Sequence, residues 1–145
     1  MKVVADVNIV LSSLLTKGNS SKVFNLNYIF SKFDFISPDF ILEELAKHKE
    51  EFFKRTKLSE YEFNETIEFL LEQITIVPRS EFSDFLQKAR EMLPNHLKDI
   101  QYLALALRFN CPIFSGDKTL KELLSSSNIK VFPPREMLSK FETEI

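Results

Sequence analysis

Five short apolar runs, separated by segments with helical spacing, constrain the fold of this 145-residue chain more than any other feature. A run that is apolar throughout is typical of a strand buried on both faces. Helices between such strands supply the crossover connections that parallel strands need. The sequence therefore predicts an α/β fold, a three-layer α/β/α sandwich around a parallel five-stranded sheet. The predicted strands are Val3–Ala5, Phe33–Ile36, Ile74–Val77, Pro112–Phe114 and Ile129–Phe132.

Two helix starts carry local signals. Ser37-Pro38-Asp39 combines a hydroxyl cap, a proline and an acid, which is typical of a first helical turn. Ser59 and Glu62 have the spacing of a capping box. The segment from Asp99 to Phe109 is apolar on all sides, which predicts a helix packed centrally. The other predicted helices span 8–15, 21–30, 80–92, 118–124 and 134–141.

The composition indicates one globular domain over residues 1–145. No apolar run approaches the roughly 18 residues of a membrane span, and Asp6 comes too early for a secretory signal. A single cysteine, Cys111, excludes an internal disulfide and favours the cytoplasm. Fifteen Phe and no Trp indicate a Phe-rich core and an apolar face for a homodimer.

Glycine content and charge exclude several classes of protein. Only Gly18 and Gly116 occur, so neither a dinucleotide-binding glycine motif nor a P-loop is present. The net charge of −2 argues against a protein that coats nucleic acid through bulk charge. It does not exclude an enzyme that cuts nucleic acid at a metal site.

Three aspartates lie at the edges of apolar elements. Asp6 directly follows the first predicted strand, Asp117 lies just past the fourth, and Asp99 precedes the central helix. Each one alone is equally well explained as a helix cap. Together, on the ligand-binding side of a parallel sheet, they would converge and repel one another unless a cation neutralised them. Such an all-oxygen cluster suits Mg²⁺ or Mn²⁺ and predicts metal-activated hydrolysis of a phosphodiester.

A fourth acid is expected from the helix after the second strand. Helical spacing favours Glu44, whose neighbours one turn away are apolar, whereas Glu43 falls between Asp39 and Lys47 on a solvated face. The competing interpretation is that both glutamates lie on the surface.

The sequence resembles the PIN-domain family, in four segments whose order and spacing agree across nearly the whole chain. None of the four is decisive alone, but together they are specific. They are 3–15 (VVADVNIVLSSLL), 37–45 (SPDFILEEL), 98–107 (KDIQYLALAL) and 113–118 (IFSGDK).

This resemblance implies a fold, an activity and a set of site residues. Family members have a parallel five-stranded sheet between helices. They are typically Mg²⁺- or Mn²⁺-dependent ribonucleases, and many are toxins of type II toxin–antitoxin pairs. RNA would then be the substrate and an antitoxin protein the partner. The family's acids correspond to Asp6, Glu44, Asp99 and Asp117, and its supporting polar positions to Asn8 and Ser115.

One departure from the family keeps other functions open. Many relatives carry a further acid shortly before the position of Asp99, but Asn95-His96-Leu97-Lys98 contains none. A catalytically weak or inactive module that binds RNA or a protein partner is therefore the alternative. A Mg²⁺-dependent phosphatase or phosphotransfer domain is a third hypothesis, but it usually has a second acid at the position of Asn8 or beside Asp6, and this chain has neither.

Overall fold

The computed structural model describes residues 1–15 and 17–142. Its strands form one parallel sheet in the order β3-β2-β1-β4-β5. Helices cover both faces of this sheet, so the predicted three-layer α/β/α sandwich is confirmed. The strands are β1 (Lys2–Ala5), β2 (Asp34–Pro38), β3 (Ile74–Val77), β4 (Ile113–Phe114) and β5 (Val131–Phe132).

Helices connect the strands in the alternation that the sequence predicts. The capping box before α4 is present, because Ser59 Oγ accepts from Glu62 N–H and Glu62 accepts from the Ser59 backbone. The helices are α1 (Val7–Leu15), α2 (Asn19–Phe30), α3 (Phe40–Arg55), α4 (Glu60–Glu72), α5 (Leu86–Met92), α6 (Ile100–Phe109), α7 (Lys118–Leu123) and α8 (Pro134–Glu142).

The predicted helix start at Ser37 is wrong. Strand β2 continues through Pro38, which pairs with Val77 of β3, and α3 begins only at Phe40. The Ser37 hydroxyl donates instead to the Ala5 carbonyl, 2.5 Å away, and is completely buried. A tertiary hydrogen bond between neighbouring strands has thus replaced the local cap.

The segment predicted as one helix over 80–92 is also interrupted. It forms two 3₁₀ turns, Arg79–Glu81 and Ser83–Phe85, before α5 begins at Leu86. Phe82 lies between the two turns and is 0% exposed. Burial of this ring accompanies the interruption, which the apolar spacing alone does not reveal.

The core is rich in aromatic rings, as the composition predicts. Phe24 of α2 lies against Phe35 of β2 with ring centroids 5.1 Å apart, and Phe35 stacks on Phe114 of β4 at 5.9 Å. Helix α6 packs on β1 and β2, and six of its ten residues are buried, which agrees with its predicted central place. Cys111 is buried, and burial raises the pKa of its thiol to about 11.

The strand order fixes where a ligand can bind. The chain moves outward from β1 to β3 and then returns to β4 on the other side of β1. A crevice opens beyond the carboxyl ends of two strands where the winding direction reverses in this way. Here that position lies between β1 and β4. None of the helices in the described residues is long and apolar enough to cross a membrane.

Candidate metal and phosphodiester site

A cavity of about 440 Å³ opens at the carboxyl edge of the sheet, beside the β1–β4 switch point. All four predicted acids and Asn8 contribute to its wall, so the structure brings together residues from four separate parts of the chain. Its charged and polar lining consists of Asp6, Asn8, Glu44, His48, Asn95, His96, Lys98, Asp99, Tyr102 and Asp117.

Asp6 lies deepest in this cluster. It follows β1 and caps α1, because the Ile9 backbone N–H donates to Asp6 Oδ1 at 3.0 Å. Its side chain is only 5% exposed. Burial raises the pKa of Asp6 to about 6, and the nearby charges of Asp99 and Asp117 add to this shift, while hydrogen bonds from Ser115 and Ile9 oppose it. Such a carboxylate gains from a neighbouring cation.

Asp117 approaches the cavity from the other side of the switch point. It caps α7, since the N–H groups of Thr119 and Leu120 donate to its Oδ1 at 2.9 and 3.1 Å. The Ser115 hydroxyl accepts from the Asp117 N–H at 3.2 Å and also hydrogen-bonds Asp6. Ser115, which is 1% exposed, therefore links the loop after β4 to the carboxylate after β1.

Asp99 differs from these two aspartates because it caps nothing. It occupies the N-cap position of α6, yet its side chain makes no capping hydrogen bond. It is half-buried, and burial raises its pKa, with further contributions from the charges of Asp117 and Glu44. His96 and Lys98 oppose that shift. The cap explanation therefore holds for Asp6 and Asp117 but fails for Asp99.

The two candidate glutamates separate as helical spacing predicts. Glu44 is 9% exposed and lines the cavity, whereas Glu43 lies on the exposed face of α3. The Tyr102 hydroxyl donates to Glu44 Oε1 at 2.7 Å. Sequence reasoning missed Tyr102, because its position within an apolar helix gave it only a core role. A hydroxyl-bearing ring in such a run was the one available signal.

The oxygen atoms of the cavity acids are the type of ligand that Mg²⁺ and Mn²⁺ prefer. Among the described residues, no three acidic, histidine or cysteine side chains already form a closed set of metal ligands. Mg²⁺ does not require one, because it usually keeps several waters and takes only one or two carboxylates directly. A carboxylate has two oxygens and about four acceptor positions, so capping leaves Asp6 and Asp117 able to bind a cation. The residues present therefore fit a partly hydrated divalent ion.

Two solved structures have a fold similar to that of this chain. One is the crystal structure of VapBC2 from Rickettsia felis bound to a DNA fragment from the VapBC2 promoter. It matches with a TM-score of 0.68 at 13% sequence identity, and the match covers 92% of this chain and 98% of that chain. VapBC-1 from nontypeable Haemophilus influenzae matches with a TM-score of 0.63 at 14% identity, covering 93% and 99%. At these identities the likeness concerns the fold.

A comparison with curated proteins gave no match. The sequence model of the PIN domain, however, matches residues 4–132, which is most of the chain and includes all four cavity acids. The resemblance seen in the sequence is thereby confirmed, and the chain belongs to the PIN domain family.

Proposed function

We propose that this protein is a metal-dependent endoribonuclease that hydrolyses RNA phosphodiester bonds. The observation that carries the proposal is the gathering of Asp6, Glu44, Asp99 and Asp117 around one cavity at the β1–β4 switch point. Burial is the main cause of the raised pKa values of Asp6 and Asp99, and the like charges of the neighbouring acids add to it, so a cation in the cavity would stabilise the ionised carboxylates. Membership of the PIN domain family supports the same activity.

Each residue has a distinct task in this proposal. Asp6, Asp99 and Asp117 would hold Mg²⁺ or Mn²⁺, directly or through water. When bound, such an ion supplies an activated water and stabilises negative charge on the phosphate. Glu44 would bind the ion through water or help to orient the attacking water. Asn8 and Ser115 support the site, Ser115 through its hydrogen bonds to Asp6 and Asp117.

The substrate phosphate needs positive charge as well as the metal. Lys98, His48 and His96 line the same cavity as the acids and are its cationic or potentially cationic side chains within the described residues. His96 and Lys98 lie close enough to Asp99 to counter the rise in its pKa. These groups would contact the RNA backbone, which places the scissile phosphate between them and the carboxylates.

The experiment that tests this function combines metal binding with cleavage. The purified protein should bind Mn²⁺ in calorimetry and cleave single-stranded RNA, and EDTA should stop the cleavage. Asp6→Asn combined with Asp117→Asn should lose both properties, whereas the exposed pair Asp34→Asn and Asp84→Asn serves as a matched control. Equal Mn²⁺ binding by the Asp6/Asp117 variant would contradict the proposed site.

A second function is favoured by one observation, the lack of an acid in the wall segment from Asn95 to Lys98. With one carboxylate fewer than many relatives, the site would bind metal too weakly for cleavage, and the chain would be a module that binds RNA or a protein partner without cutting RNA. A titration that shows RNA binding unchanged by EDTA, together with intact RNA after long incubation with Mn²⁺, would favour this module over the nuclease.

We further propose that the protein is the toxin of a type II toxin–antitoxin pair and acts in the cytoplasm. Its fold is that of the two VapBC structures, one of which contains promoter DNA. The partner would be a small antitoxin, encoded beside this gene. Co-expression of the neighbouring gene should relieve growth arrest caused by the protein, and the two products should purify together.

A homodimer is the oligomeric state that we propose for it. Tyr28, Ile29 and Phe30 at the end of α2 are 65%, 68% and 62% exposed, an apolar cluster of the kind that association buries. Sedimentation should give twice the 17.0 kDa chain mass.

A further inference from the structure

The Tyr102 side chain joins three helices next to the carboxylate cavity. Its ring is 2% exposed and packs edge-on against Phe40, with centroids 6.4 Å apart. Its hydroxyl lies 2.7 Å from Glu44 Oε1 of α3, and the backbone N–H of Val7, the first residue of α1, hydrogen-bonds the same hydroxyl. One phenol oxygen thus connects α6 to both α1 and α3.

The direction of these hydrogen bonds follows from the groups involved. A backbone N–H can only donate, and an ionised carboxylate can only accept, whereas a phenol has one hydrogen and two acceptor positions. Tyr102 therefore accepts from Val7 and donates to Glu44.

This arrangement ties Glu44 to the helix end that carries Asp6. Val7 directly follows Asp6, and its N–H belongs to the first turn of α1, where helix N–H groups lack partners within the helix. A free glutamate samples many rotamers, and ordering them costs free energy. With Oε1 held by Tyr102, the carboxylate is already oriented, and Oε2 is left to serve the cavity.

We propose that Tyr102 is a positioning residue, whose hydroxyl fixes the Glu44 carboxylate relative to Asp6 and so prepares the cavity for a divalent cation. The inference rests on the proposed nuclease function and adds a residue to it. Tyr102 itself acts only through Glu44. Partners that orient metal-binding side chains in this way typically contribute 10- to 100-fold to metal affinity.

The test begins with Tyr102→Phe, which keeps the ring packing and removes the hydroxyl. We expect its Mn²⁺ affinity, measured by calorimetry, to fall by about 10- to 100-fold. Tyr61→Phe is the matched control, because it removes the same hydroxyl from a ring that is 74% exposed on α4 and lies outside the cavity lining. Its affinity should equal that of the wild type.

A double-mutant cycle separates positioning from a merely structural role. Glu44→Gln should weaken Mn²⁺ binding, and Tyr102→Phe added to Glu44→Gln should weaken it by no more than about twofold further, because the group being positioned is already lost. Equal losses from Tyr102→Phe in both backgrounds would overturn the inference. So would wild-type affinity in the single Tyr102→Phe variant.

Melting in EDTA shows whether Tyr102→Phe folds. If it does not, Glu44→Asp decides, since it keeps the charge but draws the carboxylate back by one methylene. Affinity as low as that of Glu44→Gln would support positioning, and wild-type affinity would overturn it. Failure of the wild type to bind Mn²⁺ would refute the proposed function together with this inference, whereas normal binding with an unaffected Tyr102→Phe would refute this inference alone.

Discussion

The hydroxyl of Tyr102 donates to Oε1 of Glu44 across 58 positions of sequence, at 2.7 Å and between two buried side chains. This hydrogen bond connects α6, whose residues are mostly buried, to α3, the helix that carries the fourth cavity acid. The position of the Glu44 carboxylate therefore depends on Tyr102 of α6 as well as on the buried face of α3. The first prediction compares Glu44 with Glu43, which lies on the exposed face of α3.

Glu44→Gln should reduce RNA cleavage by about two orders of magnitude or more, because the amide cannot replace the carboxylate that orients the attacking water. Glu43→Gln is the matched control. It makes the same substitution one residue away on the exposed face of α3 and should change the rate little. Cleavage rates of both variants at saturating Mn²⁺ give the measurement, and the reverse order of activity would contradict the assignment of Glu44.

The second prediction concerns the pH dependence of the free energy of unfolding in EDTA. The pKa of Asp6 is raised from 3.8 to about 6 in the folded state, so the folded protein binds this proton more tightly than the unfolded chain. Stability from this group is full below about pH 4 and is lost as the pH rises through about 6. The loss amounts to up to about 3 kcal/mol.

Asp6→Asn isolates this effect, because asparagine can still accept from the Ile9 N–H and cap α1. Urea denaturation of both proteins between pH 4 and 7 should show the wild type losing stability relative to Asp6→Asn as the pH increases. Saturating Mn²⁺ should abolish that difference in slope, since a cation favours the ionised carboxylate. If the free energies of unfolding of the two proteins in EDTA changed with pH in parallel, the pKa of Asp6 would not be raised in the folded state.

The third prediction concerns the bond between neighbouring strands. Ser37→Ala removes the buried donor to the Ala5 carbonyl and should lower the free energy of unfolding by about 1–3 kcal/mol, since the carbonyl loses its partner beneath the site. Ser83→Ala removes a hydroxyl whose hydrogen bond is exposed and should cost less than about 0.5 kcal/mol. Equal denaturation midpoints for the two variants would refute the importance of this contact.

Local patterns predicted the elements of this fold better than their ends. The apolar runs indicated all five strands, and helical spacing placed Glu44 rather than Glu43 on the buried face. The prediction of a helix start at Ser37 was wrong because its hydroxyl can bond either the first turn of a helix or the Ala5 carbonyl, 32 positions away in the sequence. Only the fold of the whole chain determines which of the two bonds forms. Tyr102 was hidden for the same reason, since its acceptor lies on another helix.

The convergence of the acids shows where such prediction succeeds for a physical reason. Asp6 and Asp117 follow strands that lie next to each other, so topology alone brings them to one edge of the sheet. Their additional roles as helix caps were foreseen as competing explanations, but the structure combines capping with a place in the cavity wall. Distances between the side chains depend on packing, which spacing does not determine.

The fourth prediction uses Asp99, the cavity acid that caps no helix. Burial and the charge of Asp117 raise its pKa, so the ionised side chain opposes folding in the absence of metal. Asp99→Asn should therefore leave the melting temperature in EDTA unchanged or raise it. With Mn²⁺ the order should reverse, because ligand binding stabilises the wild type by about 2.7 kcal/mol at a hundredfold excess over the dissociation constant, and the variant should lose that gain.

Asp39→Asn is the matched control for this measurement. Asp39 occupies the N-cap position of α3, is exposed and also makes no capping hydrogen bond, but it lies outside the cavity lining. Its melting temperature should rise with Mn²⁺ as much as that of the wild type. Melting temperatures of the wild type and the two variants, each in EDTA and in Mn²⁺, thus separate a general effect of losing one negative charge from a specific role for Asp99. An undiminished Mn²⁺ shift in Asp99→Asn would show that Asp99 is not a ligand, and would leave the proposed metal site dependent on Asp6 and Asp117.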